Sequence, residues 1–200
     1  MERRPLALQL YLLLHCVARA DPWHGWLPAM AWARALDKTQ PGAEATISRN
    51  WSWLESERLI RSDRYKRLRR VFLLREDGSG TEYTRPTGNY FTLPLAYFLD
   101  EWHQKLSLSG TVVLLIARDL QVPFQLRKEH ASGWYGVSAD TLQRGIDELR
   151  DHGLLSITPK RIAAPRTRQG WTMVNEYRLL APFTKPEPPS DNPIELEAAT

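Results

Sequence analysis

Thr46-Ile47-Ser48-Arg49-Asn50-Trp51-Ser52-Trp53-Leu54-Glu55-Ser56-Glu57-Arg58-Leu59-Ile60 aligns without gaps on Thr141-Leu142-Gln143-Arg144-Gly145-Ile146-Asp147-Glu148-Leu149-Arg150-Asp151-His152-Gly153-Leu154-Leu155, 95 positions further along the chain. Thr stands first in both stretches, Arg fourth and Leu ninth, and a leucine–aliphatic pair closes each. The apolar positions Ile47, Trp51 and Leu54, like Leu142, Ile146 and Leu149, recur at i, i+4 and i+7. Each stretch is therefore a helix with one buried face. Ser138 supplies an N-cap ahead of the second helix and Gly153 a left-handed terminator behind it. Recurrence at this distance predicts one structural unit carried twice.

The flanking sequence completes the unit. Leu6, Leu10, Leu13, Leu14 and Val17 fall on one helical stripe, which predicts a first helix over Leu6–Arg19. A loop through Asp21-Pro22-Trp23-His24-Gly25, a second helix near Leu27–Lys38 and a turn at Gln40-Pro41-Gly42 lead into the repeated helix. Behind it, Leu59-Ile60-Arg61 and Leu68–Arg75 read as two short strands, ended by Asp77-Gly78-Ser79-Gly80. The second copy reads as helices Ser109–Leu120, Leu126–Tyr135 (closed by Gly136) and Ser138–Asp151. A hairpin of Leu154–Ile157 and Trp171–Leu180 follows. The expected fold class is α+β, mainly helical with small hairpins. Its expected parts are a first domain over 1–80, a connection over 81–108, a second domain over 109–181 and a Pro-rich, acidic, disordered tail over 182–200.

These phrases resemble the winged helix-turn-helix superfamily of DNA-binding proteins. Thr46-Ile47-Ser48-Arg49, Leu54-Glu55 and Leu59-Ile60 look like its recognition helix running into the first wing strand. So do Val137-Ser138-Ala139-Asp140-Thr141-Leu142-Gln143-Arg144, Glu148-Leu149 and Gly153-Leu154-Leu155. The resemblance covers roughly 1–180 and implies two such domains in tandem. Arg58 departs from it by replacing the usual glycine at the helix end, and Trp51 and Trp53 are unusually bulky there. The phrase Asn89-Tyr90-Phe91-Thr92-Leu93-Pro94-Leu95-Ala96-Tyr97-Phe98, with Trp102 and Leu106-Ser107-Leu108, bears a looser resemblance. It looks like the segment leading into the winged domains of some bacterial plasmid-replication initiators and mobile-element regulators. Read from its residues alone, it is a strand and short helix that pack aromatics between the domains.

A helix enters the major groove when one face packs on its own domain and the other offers short polar and cationic groups. Thr46, Arg49, Asn50 and Trp53 fall opposite the first buried stripe, and Thr141, Gln143, Arg144 and Asp147 opposite the second. Arg suits guanine and Asn or Gln suits adenine, so Thr46, Arg49, Asn50, Trp53, Thr141, Gln143 and Arg144 are the base-reading candidates. Ser48 and Ser138, near the helix starts, suit phosphate.

Charge points the same way. The 200 residues carry 27 basic and 23 acidic side chains, a net +4, too mild to identify a partner by itself. The excess is local: Arg58, Arg61, Arg64, Lys66, Arg67, Arg69, Arg70 and Arg75 share their segment with the single acid Asp63, a charge of +7. The backbone-contacting candidates are thus Arg61, Arg64, Lys66, Arg67, Arg69 and Arg70 in the first hairpin. In the second they are Lys160, Arg161, Arg166 and Arg168, placed in a loop with no acid. Six to ten phosphate contacts would give a salt slope of about −5 to −9. Two units in one chain suggest a covalent pseudo-dimer reading two half-sites about one helical turn apart.

The function expected is therefore double-stranded DNA binding by a transcription regulator or a replication or partition initiator, in the cytoplasm and on the nucleoid if the source is bacterial. The alternative is a tandem module that binds proteins, and a protein partner for the second domain or the tail stays open. No enzyme, cofactor, metal or membrane is expected. His15, His24, His103, His130 and His152 never pair at metal-ligand spacing, and Asp77-Gly78-Ser79-Gly80 lacks the Lys-Ser or Lys-Thr of a phosphate loop. The one cysteine, Cys16, makes no disulfide framework. Glu2-Arg3-Arg4, the apolar run after it and Ala18-Arg19-Ala20 have the outline of a secretory leader, but Gln9 and His15 interrupt the run and its stripe favours an ordinary helix.

Overall fold

The computed structural model describes residues 4–88 and 90–185. It is a mixed α+β structure with two small antiparallel sheets, and the chain divides into two compact units. The first comprises Met1–Tyr90 with Tyr97–Lys105, and the second Phe91–Ala96 with Leu106–Thr200.

In the first unit the order is α1 (Pro5–Val17), β1 (His24–Trp26), α2 (Ala29–Ala35), α3 (Ala43–Ser56), β2 (Ile60–Tyr65) and β3 (Leu68–Leu73). Leu10 and Leu14 of α1, Trp32 of α2, Ile47, Trp51 and Leu54 of α3 and Val71 of β3 form one buried core. The Leu6 stripe is thus part of that core. Strand β1 falls where a loop was expected. It pairs with β3, His24 opposite Phe72 and Trp26 opposite Arg70, so that the sheet runs β1-β3-β2. Gly25 is required there, because a Cβ would lie 2.9 Å from Leu14 and Trp32. Short helices α4 (Ala96–Leu99) and α5 (Trp102–Lys105) follow. No strand is present among the described residues of the connection, and its Asn89 lies outside them.

The second unit repeats the order: α6 (Leu108–Asp119), a 3-10 turn at Lys128–His130 running into α7 (Ala131–Tyr135), α8 (Ala139–Asp151), β4 (Leu155–Ala163) and β5 (Trp171–Leu179). Phe124, between its first and second helices, bridges Tyr177 of β5 through a pair of hydrogen bonds, 3.1 and 2.8 Å. β1 stands in the same relation to β3. Helices α6 and α8 cross at Gly145, where a Cβ would run into the Ser109 carbonyl and Val113. Glu148 of α8 accepts hydrogen bonds from the Ser107 backbone and hydroxyl, which ties it to the positive end of α6.

The start of the expected tail is built into this unit. Phe183 is fully buried, and the buried Arg118 guanidinium donates to the carbonyls of Thr92 (2.8 Å), Phe183 (3.0 Å) and Thr184 (3.3 Å). Lys185 caps the end of α6 by donating to the carbonyls of Arg118 and Leu120. The remainder of the tail, 186–200, lies outside the described residues, as do Glu2 and Arg3.

Arg58 does what glycine does in the second copy. Its φ is +58° and that of Gly153 is +69°. Arg58 N–H reaches Glu55 O and Leu59 N–H reaches Leu54 O; Gly153 and Leu154 bond Arg150 and Leu149 in the same way, 95 residues on. A side chain in the left-handed region costs about 1–2 kcal/mol, and glycine returns about 0.5–1 kcal/mol of that as backbone entropy. Arg58→Gly should therefore raise stability by about 0.5–1 kcal/mol in urea unfolding. A loss of stability would show that the Arg58 side chain packs to better effect than its backbone angle suggests.

Two imidazoles, the half-buried His15 and the buried His103, give the first unit a pH dependence. Burial pushes the pKa of both His15 and His103 below the ordinary histidine value. The unfolded chain then binds protons that the folded one refuses, so stability falls once pH drops below about 6.5 and goes on falling to the depressed folded values. Thermal melts at pH 7.5 and pH 5 should show it, and His15→Phe should flatten the difference.

Candidate nucleic-acid interface

Strand alternation sets Ile60, Ser62 and Arg64 on the face of β2 that looks toward α3. Ser62 and Arg64, with Asp63 beside them, line a cleft of about 600 Å³ together with Ser48 and Trp51 of α3, Arg67 of the β2–β3 turn, Leu68, Arg69 and Val71 of β3 and Leu27, Ala29 and Trp32 ahead of and within α2. Trp32 and Trp51 meet edge to face at its base, ring centres 5.2 Å apart. Glu55 organises one wall. Its carboxylate accepts from the Ser62 backbone (2.8 Å), the Ser62 hydroxyl (2.9 Å) and Arg69 (2.7 Å).

This geometry corrects the charge arithmetic. Arg69 is held by Glu55, Arg70 is forked onto Asp63 at 3.0 and 2.6 Å, Arg61 reaches Glu82 at 3.5 Å and Arg75 reaches Asp77 at 3.4 Å. The hydrogen bond from Arg70 holds the Asp63 carboxyl below the usual carboxylate range. Half of the eight cations are therefore answered by acids, three of which lie outside the strands that carry the cations. Arg58, Arg64, Lys66 and Arg67 have no acidic partner among the described residues. Lys66 and Arg67 form the two-residue turn with φ of +47° and +67°, a conformation that Asn-Gly adopts with far less strain. The chain carries two cations at the tip where an uncharged pair would be more stable.

Of the base-reading candidates in this unit, Arg49 is exposed and its guanidinium donates to Thr46 Oγ1 at 3.0 Å. Asn50 is not on the outer face: it is 9% exposed and its amide donates to the Thr46 carbonyl at 2.8 Å. Its position, three after Ile47 and one before Trp51, is inward, and its repeat partner is the buried Gly145. Trp53 is half-buried beneath Arg4, 5.5 Å away, and packs against the core. In its first half α3 leaves Glu44, Ala45, Ser48 and Arg49 exposed and Thr46 half-exposed.

The second unit presents less free charge. Arg144 pairs with Asp140 at 2.6 Å, and Gln143 donates to Asp147, which also meets Arg150. Ser138 caps α8 by accepting from Thr141 N–H at 3.1 Å, and its hydroxyl lies 2.9 Å from that of Thr141. Lys160 and Arg161, expected in a loop, lie within β4. Lys160 meets Glu176 across the hairpin at 2.7 Å, and Arg161 lies 4.0 Å over Trp171. Arg166 and Arg168 remain in the exposed loop.

No protein-family model, curated protein or solved structure matches the chain. The site thus stands on its own geometry. Among the described residues, no group of three His, Cys, Asp or Glu side chains converges as a metal site would, and no helix is long and apolar enough to cross a membrane. Sequence reasoning missed Leu27, Trp51 and Ser62 as cleft residues and Trp26 altogether. Alternation in Trp23-His24-Gly25-Trp26 was the signal for the latter, obscured by the proline and glycine beside it.

Proposed function

We propose that this protein binds double-stranded DNA as a tandem winged helix-turn-helix protein, with α3 and α8 as recognition helices and the two hairpins as wings. Its role would be regulation of transcription or initiation of replication or partition. One observation carries the reading: Ser48 on the outer side of α3 and the unanswered cations Arg64 and Arg67 of the hairpin line the same cleft. A helix and a hairpin that present polar and cationic groups into one groove suit a phosphodiester backbone lying between them. The shared element order of the two units supports a second, weaker contact through Arg144, Arg166 and Arg168. The exposed pair that holds Arg144 to Asp140 is worth at most about 1 kcal/mol and yields readily to a guanine.

Fluorescence anisotropy against random-sequence duplex at low salt tests this. With half of the hairpin cations internally paired, about four to six phosphate contacts remain, and log K should fall against log salt with a slope of about −4 to −5. Binding indifferent to salt, or none at micromolar protein, sinks the reading. Arg49→Ala and Arg144→Ala should each narrow the gap between preferred and random duplex, by about tenfold or more. A protein partner for the second unit is favoured by one feature, Trp134, 59% exposed and stacked on His130 with ring centres 4.4 Å apart.

A further inference from the structure

The face of the β1-β3-β2 sheet opposite the cleft is built unlike a solvated surface. Alternation and register put His24 and Trp26 of β1, Arg70 and Phe72 of β3, and Arg61, Asp63 and Tyr65 of β2 on that side. The open face of a sheet packed on one side is normally polar. Here Trp26 and Tyr65 are 36% and 40% exposed and meet edge to face, ring centres 4.6 Å apart. Cations lie over the rings: Lys66 Nζ is 5.8 Å from the Trp26 ring and 5.3 Å from that of Tyr65. The Arg70 guanidinium is 5.1 Å from Tyr65, and Arg61 is 4.0 Å from Phe72. Asp63 is consumed by Arg70 and Arg61 also reaches Glu82, so Lys66 is the cation at the aromatic pair that has no acidic partner among the described residues.

We propose that this face is a stacking platform for unpaired nucleobases, a single-stranded nucleic-acid site centred on Trp26 and Tyr65, with Lys66 meeting the phosphates. Charge complementarity selects the occupant. Open aromatic rings interleaved with cations fit a chain that alternates flat π-surfaces with negative charge. A duplex hides its bases and offers such rings nothing to stack on. The cleft and the platform share Asp63 and Leu68 at their border, but Trp26, Tyr65 and Lys66 do not line the cleft, so the proposal does not depend on the duplex reading and different residues test each.

The experiment is anisotropy of the full chain with three labelled probes at low salt: a short oligothymidine, an abasic strand of the same length and a random duplex. Oligothymidine should bind at least about tenfold more tightly than the abasic strand, which has the phosphates without the rings. Trp26→Ala should weaken oligothymidine about tenfold or more, and Trp26→Ala with Tyr65→Ala about 100-fold. Trp26→Phe should keep most of the affinity, and duplex binding should change by no more than about threefold in all of these variants. Circular dichroism of each variant confirms that it is folded. Equal affinity for the abasic strand and oligothymidine, or Trp26→Ala without effect on oligothymidine, overturns the proposal in favour of plain polyanion attraction. Failure of the platform alone leaves duplex binding, and its dependence on Arg64 and Arg67, intact.

Discussion

Arg64→Ala combined with Arg67→Ala is expected to weaken binding to every duplex about 100-fold at roughly 50 mM salt and to make the salt slope shallower by about 2. The magnitude follows from counterion release, since two lost contacts at about 0.9 each, taken over the decade or so between low salt and 1 M, remove about two decades of affinity. Both residues line the cleft, and neither is paired with an acid among the described residues, Asp63 beside them being held by Arg70. Lys66, which composition groups with them, belongs to the other side of the sheet, where its ammonium lies over Trp26 and Tyr65. Arg67→Gly sharpens the test. It removes a left-handed arginine, so it should stabilise the hairpin while it weakens DNA binding, and a loss of affinity then has no origin in unfolding. If the double variant reduces binding to one sequence and leaves others untouched, the hairpin reads bases and the assignment of wing and helix is reversed.

The second large effect is on stability. Arg118→Met is expected to cost the second unit about 3 kcal/mol or more in urea unfolding, because three carbonyls, those of Thr92, Phe183 and Thr184, lose their donor together. Methionine keeps much of the volume, so the loss measures the hydrogen bonds more than a cavity. The burial that lowers the Arg118 pKa is what makes these bonds hard for water to replace. Removal of Phe183 by Phe183→Ala should act in the same direction through the core, by about 3–5 kcal/mol. An Arg118→Met unit that melts like the parent would mean that the strap is ornamental.

Much of the fold was legible because it is local. The stripe in α3 and α8, the cap at Ser138 and the glycine at 153 all act within a few residues of themselves. What escaped notice acts at a distance. β1 is three residues long, and its partner Phe72 lies far along the chain, so nothing nearby marks His24–Trp26 as a strand. Charge was misjudged for the same reason: Glu55 and Glu82, which answer Arg69 and Arg61, lie outside the segment over which the cations were counted. Asn50 was misplaced for a different reason. Its chemistry suits adenine, and that outweighed its phase on the helix, although the glycine at the matching place in the second copy already marked the position as inward. A first strand ending at Ile157 leaves Lys160 and Arg161 in the loop, whereas β4 runs on to Ala163 with Pro159 paired opposite Asn175.

The units interleave along the connection: residues 91–96 belong to the second, and 97–105 return to the first before the second resumes. Gln9 of α1 donates to the His103 carbonyl, and Arg118 holds Thr92, so both short stretches are fastened to units they do not directly adjoin in sequence. No single scission between 90 and 106 can release two intact halves, since every such break robs one of them of a strap. Fragments meant to be expressed apart must overlap, one running through Lys105 and the other starting at Phe91, and a protease that nicks this stretch should loosen a unit rather than liberate it.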